Sequence, residues 1–150
     1  MKNLVKATVL LAVISTLAAC GEKPSVLIGS CNIDVISNPG NPSDAKVLLK
    51  RGSETVIGGW IADIAASKTP EKVSATLIGD DDHVYSLGES GVDIIRTDVS
   101  KAFAKSIDKS GFNIKASVNG VRPGLYSIQL AGTFDDRVGV CVSPKKIEIQ

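Results

Sequence analysis

From Leu27 onward, apolar residues recur mostly at every second position, the spacing that puts them on one face of a strand rather than along a helix. Cys31, Ile33 and Val35 alternate with Asn32 and Asp34, and comparable runs follow at 47–49, 55–61, 73–78, 84–87, 112–118, 125–130, 138–142 and 147–149. The pattern predicts about eight short strands. Residues that fix φ or allow it to be positive punctuate them: Asn38-Pro39-Gly40-Asn41-Pro42, Gly58-Gly59, Asp80-Asp81-Asp82, Asn119-Gly120 and Pro123-Gly124. Short strands at this spacing indicate an all-β sandwich or barrel. One segment departs from the alternation. Within 98–109, Val99, Ala102, Phe103 and Ile107 stand at helical spacing, which predicts a short crossing helix, capped by Thr97 or Asp98 and ended by Ser110-Gly111.

The N-terminus follows a third pattern. Lys2 and Lys6 precede an unbroken run of apolar or small residues from Ala7 to Leu17. A helix of that length spans only about 16 Å, short of the roughly 30 Å hydrocarbon core, so the run reads as a secretory leader and not as a membrane span. Leu17-Ala18-Ala19-Cys20 then resembles the lipobox of bacterial lipoproteins. The resemblance implies that residues 1–19 are removed and that Cys20 is acylated and becomes the first mature residue. It also implies that Gly21, standing where Asp would retain the protein at the inner membrane, directs it to the outer membrane. Two or three acyl chains would anchor it stably, at about 0.8 kcal/mol per buried methylene. Residues 20–25 then form a short lipidated tether, and 26–150 the β-sandwich domain.

Composition narrows the function classes. The 150 residues carry 17 Lys plus Arg against 16 Asp plus Glu, and loss of Lys2 and Lys6 with the leader leaves 15 against 16. Such a balance argues against nucleic acid as a partner. With Cys20 acylated, Cys31 and Cys141 form an even pair in an oxidising compartment and are expected to be bonded. The bridge would close a loop of about 110 residues, for which chain entropy gives near 4.7 kcal/mol.

Two further resemblances concern the domain. Pro123-Gly124-Leu125-Tyr126, with Ile128 and Leu130 continuing the strand, resembles the tyrosine corner of immunoglobulin-like sandwiches. Antibody-type domains bridge two central strands, whereas Cys31 and Cys141 belong to the first and penultimate ones. A looser likeness covers about residues 55–130. Gly59, Trp60 and Asp63, then Arg96, Asp98 and Val99, then Ser110, Gly111 and Phe112, then Pro123, Gly124 and Tyr126 are similar to a β-sandwich module of bacterial envelope proteins. That module is tied to no single activity, so the likeness implies a fold and transfers no catalytic role.

Candidate chemistry is sparse. His83 is the only histidine and follows three Asp in a turn, where solvation is expected. The sequence contains no Gly-x-Ser-x-Gly, no His-Glu-x-x-His and no phosphate loop. Asp80, Asp81 and Asp82 offer oxygens to calcium, yet without the spacing of a calcium loop; no cofactor or metal is expected. Trp60, the only tryptophan, is expected to pack in the core in preference to stacking on a sugar. Arg96, held by Asp98 or Asp63, is expected to fix the strand-to-helix junction and to serve a binding rim second. If a ligand site exists, the loops 38–44 and 80–83 are its expected places, with Asp81 and His83 as candidates.

These readings combine into an expectation of a lipid-anchored, non-enzymatic envelope lipoprotein. Its sandwich would bind or assemble with an envelope protein or glycan. The alternative is a periplasmic inhibitor or immunity protein that occludes a toxin or cell-wall hydrolase.

Overall fold

The computed structural model describes residues 21–28, 30–37 and 44–150. The leader, Cys20 and all of the 38–44 loop except Asp44 therefore lie outside the described residues.

The described residues form two sheets and one helix: β1 (Ser25–Leu27), β2 (Cys31–Ser37), β3 (Lys46–Leu49), β4 (Glu54–Ile61), β5 (Lys72–Gly79), β6 (Val84–Gly91), α1 (Thr97–Phe103), β7 (Gly111–Ser117), β8 (Gly124–Thr133) and β9 (Val138–Ile149). The larger sheet has the order β1-β9-β8-β5-β6, with β3 also paired to β9; the smaller is β2-β4-β7. The expected all-β sandwich is what the sequence builds, with nine strands.

The alternation read from the sequence is the alternation of the core. Along β5, Val73, Ala75 and Leu77 are fully buried, and opposite them Ile33, Ile57 and Ile61 of the smaller sheet are equally buried, as are Ile114, Ile128, Leu130 and Ile147. Burying each such aliphatic side chain contributes on the order of 2 kcal/mol. Cys31 and Cys141 are bonded as expected, and their disulfide ties β2 of one sheet to β9 of the other.

Three elements differ from expectation. The runs 138–142 and 147–149 join into the single strand β9. Pro144 is accommodated because the register with β8 breaks there, between Gln129 opposite Val142 and Ser127 opposite Lys146. It also falls between the β9 residues that pair with β1 and those that pair with β3, where no ladder bond needs its missing N–H. Gly58-Gly59 is not a turn but the middle of β4. A Cβ on Gly59 would overlap the carbonyl of Asn32, so glycine lets the two strands approach.

The crossing helix is present but short. Its N-cap is neither Thr97 nor Asp98 but Arg96, which makes no side-chain capping bond because a guanidinium has donors and no acceptor; it grips the Asp98 carboxylate in the first turn instead. Ala104 ends it at φ 51°, with Ala104 N–H donating to Lys101 O and Lys105 N–H to Ser100 O, the bond pair of a Schellman turn. The helix therefore stops well before Ser110-Gly111. Beyond it, Ile107 turns back to bury against Val99 and Ala62 in a small second cluster, with Trp60 and Ile64 packed against it.

The register gives the sandwich two ends. At the near end, where the chain enters, lie the starts of β1, β2, β5 and β7, the β8–β9 turn and α1. At the far end lie the β5–β6 turn and the loop before β8.

Candidate functional site

A bulge on β2 creates the most distinctive polar surface. Ile33 pairs with Gly59 and Val35 with Gly58, so Asp34 is an extra residue on the edge strand, and bulges of this kind re-aim side chains. Asp34 Oδ1 accepts from Asn32 Nδ2 at 2.6 Å, and its Oδ2 accepts from Arg96 Nη1 at 2.5 Å. Arg96 also grips Asp98 with both its Nε (2.9 Å) and Nη2 (2.7 Å). The guanidinium thus lies across the outer face of the smaller sheet, over the cross-strand row Asn32, Trp60, Gly111. Gly111 is required beneath it, since a Cβ there would come within 2.9 Å of Arg96 Cγ and of Ile94 O.

The electrostatics follow from this fork. The hydrogen bond from Arg96 holds the Asp98 carboxyl at about 2, and the bonds to Asp98 and Asp34 raise Arg96 above the ordinary arginine range. The Arg96 and Asp98 charges are therefore fixed at any moderate pH, so the pair is a clamp and not a proton donor.

Beside the clamp opens a cleft of about 450 Å³ lined by Asn32, Ile33, Asp34, Asp44, Ala45, Pro144 and Lys145. Its size falls in the range of small-molecule sites. Lys145 is buried to 9% exposure and its Nζ donates to Asp44 O at 3.0 Å, so the cleft lining includes Asp34, Asp44 and a lysine.

The other expected site residues are dispersed. Asp63 does not hold Arg96. It pairs with Arg137 at 2.6 Å across the near end of the sandwich, while Asp63 Oδ1 accepts from Ala66 N–H at 2.9 Å. The Ala66 bond first, and then Arg137, lower the Asp63 carboxyl. Arg137 also bonds Asp136 and covers the Phe134 ring at 4.9 Å. Trp60 lies outside the inter-sheet core, in the small cluster under α1, with its ring 5.5 Å from that of Phe103. Its strand position faces outward, so it is α1 that covers it and not the opposite sheet.

At the far end, His83 Nδ1 stands 2.9 Å from Asp81 Oδ2, and its Nε2 lies 3.2 Å from Arg122 Nη1. A guanidinium has only donors, so Nε2 accepts and Nδ1 carries the proton given to Asp81. Both ring nitrogens are thereby engaged. Tyr126 OH donates to Arg122 O at 2.8 Å, four residues back, as in a tyrosine corner, and burial foremost raises its phenol. Among the described residues, no group of three or more His, Cys, Asp or Glu is placed to hold a metal ion.

Sequence reasoning missed Asp34, Arg137 and Lys145. Asp34 is legible only as a polar residue on an edge strand; the bulge that turns it toward Arg96 has no sequence signature. No protein-family model matches this chain, and no curated protein is significantly similar to it.

Proposed function

We propose that the protein is a membrane-anchored envelope lipoprotein whose β-sandwich is a non-enzymatic binding or assembly module. One observation carries the reading. The chain has three cysteines, and the disulfide uses Cys31 and Cys141, which leaves Cys20, directly after Leu17-Ala18-Ala19, as the one available for acylation. An oxidised pair also fits an extracytoplasmic compartment. The cleft between Asp34 and Lys145 is the recruiting surface, and the anchor raises local concentration at the membrane. Its partner is an envelope protein or a glycan met through polar contacts.

The test is mass spectrometry of the native protein's N-terminus together with detergent-phase partitioning. The expected result is a diacylglyceryl-modified Cys20 and a protein in the detergent phase, with Cys20→Ser moving it to the aqueous phase. An intact leader, or an unmodified N-terminus in the aqueous phase, overturns the reading. Capture from solubilised envelopes identifies the partner class; a single tightly held toxin or hydrolase would instead support an inhibitor.

A further inference from the structure

The two sheets differ in what covers their outer faces. On the smaller sheet, α1 and the segment leading to it lie over Trp60 and Gly111. On the larger sheet, the outer face around β9 has no such cover among the described residues, and apolar side chains gather there. Outward along β9 stand Val138, Val140, Val142, Pro144, Lys146 and Glu148. Leu27 on β1 is the cross-strand neighbour of Val140, and Leu48 on β3 and Leu125 on β8 flank Glu148. Leu27 is 85% exposed, Val142 55%, Leu48 50% and Leu125 45%. From the Leu27 row to the Leu48 row the stripe runs eight residues of β9, roughly 26 Å. An apolar stripe of this size on a water-soluble face marks a contact surface.

The position of the chain's start says what that contact is. Lys23 Nζ donates to Phe134 O at 2.6 Å, Pro24 O accepts from Val138 N–H at 2.9 Å, and β1 pairs in parallel with β9. The chain is therefore fastened to the body from Lys23 onward. Only Gly21 and Glu22 separate that point from Cys20, and the three peptide steps between Cys20 and Lys23 reach about 11 Å at most. Whatever Cys20 is inserted into must lie against this edge of the larger sheet.

We infer that the stripe Leu27, Val142, Leu48 and Leu125 rests on the bilayer surface, so that the sandwich lies with the β9 face of its larger sheet against lipid and the Arg96 side turned to the aqueous phase. This deepens the proposed function and rests on acylation of Cys20. Charge agrees with it. Lys46 and Lys146 are cross-strand partners within the stripe, in the row between Pro144 and the Leu48–Leu125 row; Lys146 Nζ donates to Ser127 Oγ at 2.6 Å, and the single carboxylate among the outward residues of β9, Glu148, is bonded to Lys46 at 2.7 Å. Lysines so placed bury their stems and keep their ammonium groups at phosphate level. Apolar contact of this kind adds to the acyl chains and fixes orientation as well as attachment.

The experiment uses the full lipidated protein in vesicles of phosphatidylethanolamine and phosphatidylglycerol, with brominated acyl chains as quenchers of tryptophan emission. The native Trp60, on the other sheet, reports the side turned away. The expected result is that Trp60 is not quenched in the native protein, and that Val142→Trp adds emission of which the bromolipids remove most. Leu27→Asp in the Val142→Trp background is expected to abolish that quenching while the protein still sediments with the vesicles. Sedimentation with no quenching at position 142, or quenching of Trp60 equal to it, overturns the orientation and leaves the anchor standing. Protein that is unacylated and stays in the supernatant overturns both.

Discussion

The two ends of the sandwich are closed by different means. At the near end, Arg96 and Arg137 each hold two carboxylates, and each reaches one of them across the fold, Arg96 to Asp34 and Arg137 to Asp63, 62 and 74 residues away. Their side chains are only 21% and 17% exposed. At the far end the bonds are local or exposed: His83 with Asp81 two residues away, at 45% and 62% exposure, His83 with Arg122 39 residues away on the exposed surface, and the buried Tyr126 with Arg122 only four away. Bonds between distant segments that are half removed from water hold tertiary structure together, whereas exposed local pairs mainly shape a turn. The near end, where the anchor would join, is thus the stiff one, and the far end the adaptable one.

The largest effect that would sharpen this contrast is loss of the disulfide, which lies toward the near end of β9. Replacing Cys31 and Cys141 together by Ala should cost about 4–5 kcal/mol by the chain-entropy estimate. In a thermal melt that is a drop on the order of 10 °C or more; an unchanged melt would show that the rest of the near end suffices alone. Next comes Arg137→Met, which leaves Asp63 and Asp136 without their partner. It should destabilise by about 2 kcal/mol in urea unfolding.

The same end has a predictable acid response. Asp63 and Asp98 have carboxyls held below their unfolded values, so their contribution is fully present above the unfolded value near 4 and is lost as pH falls through the folded one, about 2 for Asp98. Hydrogen exchange followed from pH 5 downward should show the near end, with α1 and the β8–β9 turn, loosening as these carboxyls protonate. Retention of full protection below pH 2 would count against the clamps.

Smaller effects are expected at the far end. Tyr126→Phe removes one hydrogen bond to a backbone carbonyl and should cost about 1 kcal/mol. His83→Gln should stay within about 0.5 kcal/mol, as exposed turn substitutions do. A cost at His83 equal to that at Arg137 would abolish the distinction between the ends.

Much of the architecture was legible in the alternation of apolar residues, because a pleated strand presents successive side chains to opposite faces whatever it pairs with. The Cys31–Cys141 bond was legible because the lipobox likeness sets Cys20 aside and implies an oxidising compartment, where the two remaining cysteines are expected to pair. That the Tyr126 hydroxyl ties the turn before β8 to nearby backbone was legible from the likeness of Pro123-Gly124-Leu125-Tyr126 to a tyrosine corner; that the acceptor is Arg122 O was not. The candidate cleft was not. It depends on Asp34 being the surplus residue of a bulge and on β9 running through Pro144 as one strand with β1 and β3 sharing its edge. Neither is a property of any short window of sequence. The helix was misjudged in length because Ile107 is recruited to the cluster under α1, and that pull comes from Trp60 on a distant strand and Ala62 just after it.

By itself, then, the sequence determined the strand pattern, the covalent staple, the turn residues and the likeness of its N-terminus to a lipoprotein leader, since each rests on local periodicity or on a few adjacent residues. Only the tertiary structure decided that Arg96 reaches Asp34, that Asp63 serves Arg137, that Trp60 lies under a helix and that Leu27, Leu48, Leu125 and Val142 form one exposed stripe. Those outcomes depend on register between strands far apart in the chain, and a shift of one residue exchanges the two faces of a strand.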